Sequence, residues 1–329
     1  MNILEANNLT VGYKSKHRNF PLLIDADFSL KKGKIYTILG ENGIGKSTLI
    51  YSLCGIKKPL SGNVFLEGKN INNYSQKELS RKISIVLTDR YPIDYMTVFD
   101  FVSMGRIPHT GFYGSLSSND YIIIEKSINL VGLQSKSTQL IDSLSDGEYQ
   151  KALIARALTQ ETPIVIMDEP ASYLDFPSRI ALMSLIKELA NKSNKTILLS
   201  LHQIDLAIDF SDYIFLFTSN KTLIKGTPED LILEGKFDNL FLSDGISFDK
   251  TDGNYKYLKT NNSLPTIKAN EIVKKWIYHA FERNQINNSP NNISVNVDRN
   301  IYQILDNDLI IDRAKSIEEL IQKIKALMF

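Results

Sequence analysis

The stretch Ile35–Ile56, IYTILGENGIGKSTLIYSLCGI, decides the fold. Ile35 to Leu39 is a short apolar run of the length that suits a buried strand. Gly40-Glu41-Asn42-Gly43-Ile44-Gly45-Lys46-Ser47-Thr48 follows and meets G-x-x-x-x-G-K-[ST] at every fixed position. Leu49, Ile50, Leu53 and Cys54 then recur at helical spacing. The loop therefore joins a strand to a helix, which is the context a P-loop requires. Glycines let successive backbone N–H groups converge on anionic oxygens, and a helix N-terminus adds partial positive charge. Lys46 is placed to reach the β- and γ-phosphates of a nucleoside triphosphate, and the Ser47 hydroxyl to ligate Mg²⁺. The sequence predicts ATP or a relative as ligand.

The remainder of the chain sets bounds on that reading. Its 329 residues suffice for one large domain and a small one. A net charge of +1 without a basic run argues against a nucleic-acid partner. The single cysteine, Cys54, rules out an internal disulfide, suits a reducing compartment and falls on the apolar face of the P-loop helix. The stretch MNILEANNLTVGY lacks the charged-then-apolar pattern of a secretory signal, and no apolar run approaches the ~20 residues of a bilayer span. The expected location is cytoplasmic, with docking onto a membrane protein left open.

Strands are predicted at Ile3 to Tyr13, Leu22 to Leu30, Asn63 to Leu66, Ile83 to Thr88, Ile164 to Met167, Thr196 to Ser200 and Tyr213 to Phe217, with turns at Lys31 to Gly33, Ser61-Gly62 and Glu67 to Lys69. Between Met96 and about Leu158 the pattern turns helical, opening on a Thr97–Asp100 capping box and continuing at Tyr121 to Val131. A further helix is expected around Ser178 to Ala190, with Leu182, Leu185, Ile186 and Leu189 on one face. Strands alternating with helices give an α/β fold, its sheet covered on both faces. The predicted domains are residues 1–245, with a helical subdomain at about 96–158, and residues 253–329. Ser243 to Asp252 is read as the linker. Beyond it, an amphipathic helix over Ala269 to Asn284 carries Ile272, Val273, Trp276, Ile277, Ala280 and Phe281 as its apolar side. Asn284 to Asn292 is predicted loop. Short strands at Ile293 to Val297, Ile301 to Leu305 and Leu309 to Ile311 and a last helix capped by Ser316 and Glu319 complete a small α+β module.

A P-loop alone says only that a nucleotide binds. About 120 residues further on, the strand IVIM ends in Asp168-Glu169. Adjacent strand side chains point opposite ways, so the two acids take different tasks: Asp168 holds Mg²⁺ through water, and Glu169 polarises the attacking water as general base. Some twenty residues before that strand, Leu144-Ser145-Asp146-Gly147-Glu148 opens a helix. LSDGE resembles the LSGGQ signature of ATP-binding cassette (ABC) ATPases. Tyr13 resembles that family's adenine-stacking aromatic, Ser172 to Asp175 its D-loop, and His202 its switch histidine that contacts the γ-phosphate; all occur in family order over roughly Asn2 to Leu242.

The resemblance implies a P-loop ABC-type nucleotide-binding domain: a mixed sheet core, an antiparallel β part and a helical subdomain. It implies a head-to-tail dimer of two copies, with each ATP between the P-loop of one and the signature helix of the other. Ser145 and the backbone N–H groups at that helix start would bind the γ-phosphate. Permease subunits in the membrane, and through them a substrate-binding protein, are the other implied partners. Two departures stand out: Asp89 occupies the place of a glutamine that contacts the metal, and Asp146 and Glu148 replace a glycine and a glutamine, adding acids beside an anion site. Met96 to Ser117, above all Gly105-Arg-Ile-Pro-His109, resembles importer ATPases for iron–siderophore, haem and cobalamin. A permease-free assembly factor and an exporter ATPase remain the alternatives. The C-terminal module is expected to pack on the cassette or its dimer counterpart and to regulate or stabilise the dimer.

Overall fold

In the computed structural model, predicted strands that are apolar at nearly every residue form a sheet buried on both faces. Residues 2–16, 18–88, 95–111, 113–172, 174–238, 240, 246–257, 265–286, 293–298 and 301–328 are described. The chain divides into two units, Met1–Lys256 and Tyr257–Phe329.

The first unit opens with β1 (Asn2–Lys14), β2 (Asn19–Lys31), β3 (Ile35–Leu39), α1 (Lys46–Leu53), β4 (Ser61–Leu66), β5 (Lys69–Asn70), α2 (Gln76–Ser80) and β6 (Ile83–Val86). The helical block is α3 (Val98–Ser103), α4 (Ser118–Leu130) and α5 (Asp146–Thr159). Then come β7 (Ile164–Met167), α6 (Phe176–Ser193), β8 (Thr196–Ser200), α7 (Ile204–Phe210), β9 (Tyr213–Phe217), β10 (Leu223–Gly226), α8 (Pro228–Leu233), β11 (Ile246–Asp249) and β12 (Asn254–Tyr257).

Six strands form the central sheet in the order β10-β9-β3-β8-β7-β6, parallel except for β10 against β9. Tyr36, Ile38, Ile164, Ile166 and Leu198 face a second, antiparallel sheet ordered β2-β1-β4-β5, with α1 in the same core. Ile35, Leu39, Val165, Met167, Ile197 and Leu199 face the other way, onto the core that holds α5 and α6. Both faces are buried, so the strands are apolar at nearly every residue. Strand order places β8 between β3 and β7, so the P-loop and Asp168 are not sheet neighbours. Cys54 lies in the core shared by α1 and the antiparallel sheet, where burial pushes its thiol up to about 12.

Several boundaries move. Ser61-Gly62 is no turn but the start of β4, where the ladder to β1 shifts register between Asn7 and Thr10. Gly62 adopts φ +80, and a Cβ there would meet the Asn8 carbonyl oxygen at 2.2 Å. The strand read to Thr88 ends at Val86. Helix α4 begins three residues before Tyr121 because Ser117 and Asp120 form a capping box. The Thr97–Asp100 box is present as read. The stretch taken as a linker folds: Ile246–Asp249 pairs with β12, and Phe248 is buried against Phe237 with ring centroids 4.9 Å apart. Its glycine and acids hid the apolar alternation Ile246, Phe248.

The fold also explains Gly105-Arg106. A Cβ on Gly105 would sit 2.0 Å from Thr159 Oγ1 and 2.1 Å from the Arg156 carbonyl oxygen, so only glycine lets this turn meet the end of α5. Arg106 is buried, donating to Asp120 at 2.7 Å, to the Thr159 carbonyl at 2.6 Å and to Glu161 at 2.8 Å.

The second unit is a four-stranded sheet, β13 (Thr266–Lys268), β14 (Ile293–Asp298), β15 (Ile301–Asp306) and β16 (Leu309–Ala314), in that order. Helices α9 (Glu271–Arg283) and α10 (Ile317–Met328) share its core through Ile277, Phe281, Leu320 and Ile324. Strand β13, parallel to β14, escapes notice in the sequence because it is three residues long. The apolar side of α9 is only partly covered: Ile272 is 73% and Trp276 59% exposed. At α10, Ser316 caps Glu319 as expected, but the Glu319 carboxylate accepts from the Lys315 N–H instead of closing a box on Ser316. The predicted loop over 284–292 lies partly outside the described residues. No helix of the described residues is long and apolar enough to cross a membrane.

Candidate active site

The P-loop passes from β3 into α1 through Gly43 at φ +76 and Gly45 at φ +122, conformations that L side chains rarely adopt. Gly45 is also the N-cap of α1 and offers no side-chain acceptor, whereas Thr97, Ser117 and Asp175 cap α3, α4 and α6 with theirs. The first-turn N–H groups of α1 are thus left for an external anion. Glu41, Asn42 and Gly43 are exposed, Ile44, Gly45 and Ser47 half-buried, and Lys46 and Thr48 buried. Gly40 is packed against the Phe217 carbonyl, which a Cβ would approach to 2.9 Å.

Lys46 turns its ammonium back over the loop, donating to the carbonyls of Gly40 at 3.0 Å and Glu41 at 3.2 Å. Its Nζ lies 3.4 Å from His202 Nδ1 and 4.0 Å from Glu169 Oε1. Burial holds the Lys46 pKa below its ordinary value, against the opposing pull of Glu169 and Asp168. His202 Nε2 is 2.5 Å from Glu169 Oε1. One tautomer satisfies both contacts: Nε2–H donates to Glu169, and the Nδ1 lone pair accepts from Lys46. Three residues drawn from β3–α1, β7 and the segment after β8 thus converge.

Asp168 and Glu169 sit at the end of β7. Asp168 is buried and accepts the Ser200 hydroxyl at 2.6 Å, while Ser200 Oγ accepts the Glu169 N–H at 2.8 Å. Glu169 adopts φ +51, a left-handed conformation that costs a non-glycine residue of order 1 kcal/mol. Ser172 Oγ donates to Glu169 Oε2 at 3.3 Å. Ser200 was not read from the sequence. Its signal was a hydroxyl ending an otherwise apolar strand two residues before His202. Tyr13 donates no information about its role from β1 alone, but here its phenol oxygen accepts from Thr48 Oγ1 at 3.2 Å, tying the ring to the P-loop helix.

The signature residues stand elsewhere. Ser145, Gly147 and Glu148 line a pocket with Lys151, Leu174 and Ser178 that holds no P-loop residue. Leu144 is buried, whereas Ser145 and Asp146 are exposed. Glu148 folds back onto the helix start as the N3 member of a capping box: its carboxylate accepts the Ser145 N–H at 3.1 Å and pairs with Lys136 at 2.6 Å, which holds it below the usual carboxylate range. Asp175 accepts the Ser178 N–H at 3.0 Å as N-cap of α6. Asp89 lies outside the described residues. Among the described residues no group of three or more His, Cys, Asp or Glu side chains could cage a metal by itself.

Comparison with known proteins agrees with this geometry. The family model described as ABC transporter matches residues 23–172. An ABC transporter ATP-binding protein of Methanocaldococcus jannaschii is 36% identical over 259 residues, 79% of this chain and 88% of its own length. The chain belongs to the ABC transporter ATP-binding proteins. This ABC ATPase is also similar to the iron(3+)-hydroxamate import ATP-binding protein FhuC of Bacillus subtilis, 32% identical over 232 residues, 70% of this chain and 85% of that one. Among solved structures, a metal-chelate type ABC transporter in an inward-facing conformation superposes with a TM-score of 0.64 and 28% identity, over 73% of this chain and 89% of its own. The fold and the ATP-hydrolysing activity are those of the family.

Proposed function

We propose that this ABC ATPase powers a membrane importer for a ferric siderophore or a related metal chelate. The similarity to an iron(3+)-hydroxamate import ATP-binding protein over 70% of the chain carries the cargo class. The P-loop backbone and Lys46 bind the phosphates of ATP, and the Tyr13 ring takes the adenine. Glu169 is the general base for the attacking water. His202, hydrogen-bonded to it at 2.5 Å, orients the carboxylate and meets the γ-phosphate. Lys46 must leave the Gly40 and Glu41 carbonyls to reach phosphate, a short movement of a flexible stem.

Ser47 and Asp168 supply hard oxygen donors that suit Mg²⁺ and would leave most of its coordination to phosphate and water. When bound, the ion neutralises charge developing on the β- and γ-oxygens. Asp89 is proposed as a further contact. Ser145 to Glu148, at a pocket that holds no P-loop residue, serve the nucleotide of a second copy in a head-to-tail dimer. Lys136 offsets the charge of Glu148 at that helix start, beside which Asp146 adds a second acid. The permease holds the dimer at the cytoplasmic face of the membrane, and a substrate-binding protein delivers cargo to it. We take the first unit, Met1–Lys256, as the cassette and the second, Tyr257–Phe329, as an accessory, regulatory or dimer-stabilising module.

Uptake of labelled ferric hydroxamate, haem and cobalamin in a deletion strain tests this reading. One of the three should be lost, returned by the intact gene and not by Lys46→Ala. Unchanged uptake of all three refutes the importer.

A further inference from the structure

Lys57 lies just past the C-terminal end of the P-loop helix, in no motif, yet its ammonium sits 3.6 Å from the centre of the Tyr13 ring. Forty-four residues separate the two, so the contact is tertiary. Its geometry is set at both ends of α1. In the first turn, Thr48 Oγ1 donates to the Tyr13 phenol at 3.2 Å. After the last turn, Gly55 at φ +70 reverses the chain, and the N–H groups of Ile56 and Lys57 both donate to the Tyr51 carbonyl, at 3.0 and 3.1 Å. The lysine backbone is therefore fixed where its stem can cross the ring. The Tyr13 ring is spanned between the start of the helix that binds phosphate and the loop that follows it. The residue is still 55% exposed, so the lysine covers only part of it.

From this clamp, and resting on the reading that Tyr13 receives the adenine, we infer that Lys57 is a positioning residue for the nucleotide base. It holds the ring plane and makes the exposed side the stacking surface. Two physical effects follow. A ring already fixed in orientation loses less entropy when the base binds. A cation over one face also draws π density toward itself, which eases the repulsion between the opposite face and a stacked purine. An exposed cation–π contact of this kind is worth about 0.5–1 kcal/mol; because it exists before the base binds, only the part that strengthens or pre-orders on stacking reaches the affinity, with roughly five-fold as the upper bound. Lys57 does not act here as a phosphate ligand, and that distinction is testable.

Calorimetric titration of the full chain with ADP and with pyrophosphate separates base from phosphate. Lys57→Met should weaken ADP by up to about five-fold and leave pyrophosphate unchanged. Lys57→Arg, which keeps a cation over the ring, should restore ADP affinity. In a Tyr13→Ala background, Lys57→Met should have no further effect. Parallel loss of pyrophosphate binding would make Lys57 a plain positive charge for phosphate and overturn the inference. So would unchanged ADP affinity in Lys57→Met, or an undiminished effect without Tyr13. If Tyr13→Ala alone binds ADP normally, the base does not stack on Tyr13 and the underlying reading fails first.

Discussion

Ser200→Ala removes one hydroxyl that is fully buried and bridges the two acids of the site. The hydroxyl donates to the Asp168 carboxylate at 2.6 Å and accepts the Glu169 N–H at 2.8 Å. A hydrogen bond to an ionised group is worth about 1.5–3 kcal/mol, and a buried N–H left without a partner costs about 1–3 kcal/mol. The two losses overlap, because neighbours and water can relax around either group, so the expected destabilisation is about 2–4 kcal/mol. For a unit of this size that corresponds to a drop in Tm of roughly 5–15 °C. The N–H contact also pins Glu169 in its left-handed conformation, so the carboxylate should drift once it is lost. A misplacement near 1 Å costs on the order of a hundredfold in turnover. Melting should be followed by far-ultraviolet circular dichroism, since Trp276 reports on the other unit. Turnover and ATP affinity should be measured below the lowered Tm. ATP should still bind, because the Ser200 hydroxyl bonds to Asp168 and the Glu169 N–H and to no P-loop residue. A variant that melts within 1 °C of the parent and keeps full turnover would refute the claim that Ser200 holds both acids.

Glu169→Gln should abolish hydrolysis, preserve ATP binding and accumulate an ATP-bound dimer on sizing chromatography; normal turnover removes Glu169 as the base. Gly105→Ala should lower the Tm, since the new methyl meets Thr159 Oγ1 at 2.0 Å and α5 must move; overpacking of this kind costs about 1–3 kcal/mol, and an unchanged melting curve would show that the turn relaxes freely. Asp120 is held down to about 2 by the Ser117 hydroxyl and N–H and by Arg106. Its folded value lies below the unfolded one, so its contribution, about 2 kcal/mol, is complete above pH 4 and lost between about pH 4 and 2. Asp120→Asn should flatten the acid limb of the stability curve in that window, and an identical limb would show that the carboxylate carries no such linkage.

The legible parts of this protein are those whose physics is local. A P-loop needs only a strand, glycines at two positions of positive φ and a helix start, all within fifteen residues, so the sequence carried it whole. The strands β3, β7, β8 and β9 were equally plain because a sheet buried on both faces leaves no room for polar interruption. The acids Asp168 and Glu169 announced themselves at a strand end. What the sequence could not carry is who stands beside whom. Only the strand order, with β8 between β3 and β7, brings Ser200 between Asp168 and Glu169 and sets His202 against both Glu169 and Lys46. Glu148 looked like an acid beside an anion site until folding placed Lys136 within 2.6 Å of it. Ile272 and Trp276 shared a helical face with Ile277 and Phe281, but periodicity shows that a face is apolar and not how much of it a neighbour covers. Lys57 lay in no motif at all, and only the turn after α1 brings its charge onto Tyr13. Local pattern determined the elements and the chemistry at their ends; packing between distant segments decided which of those ends form one site.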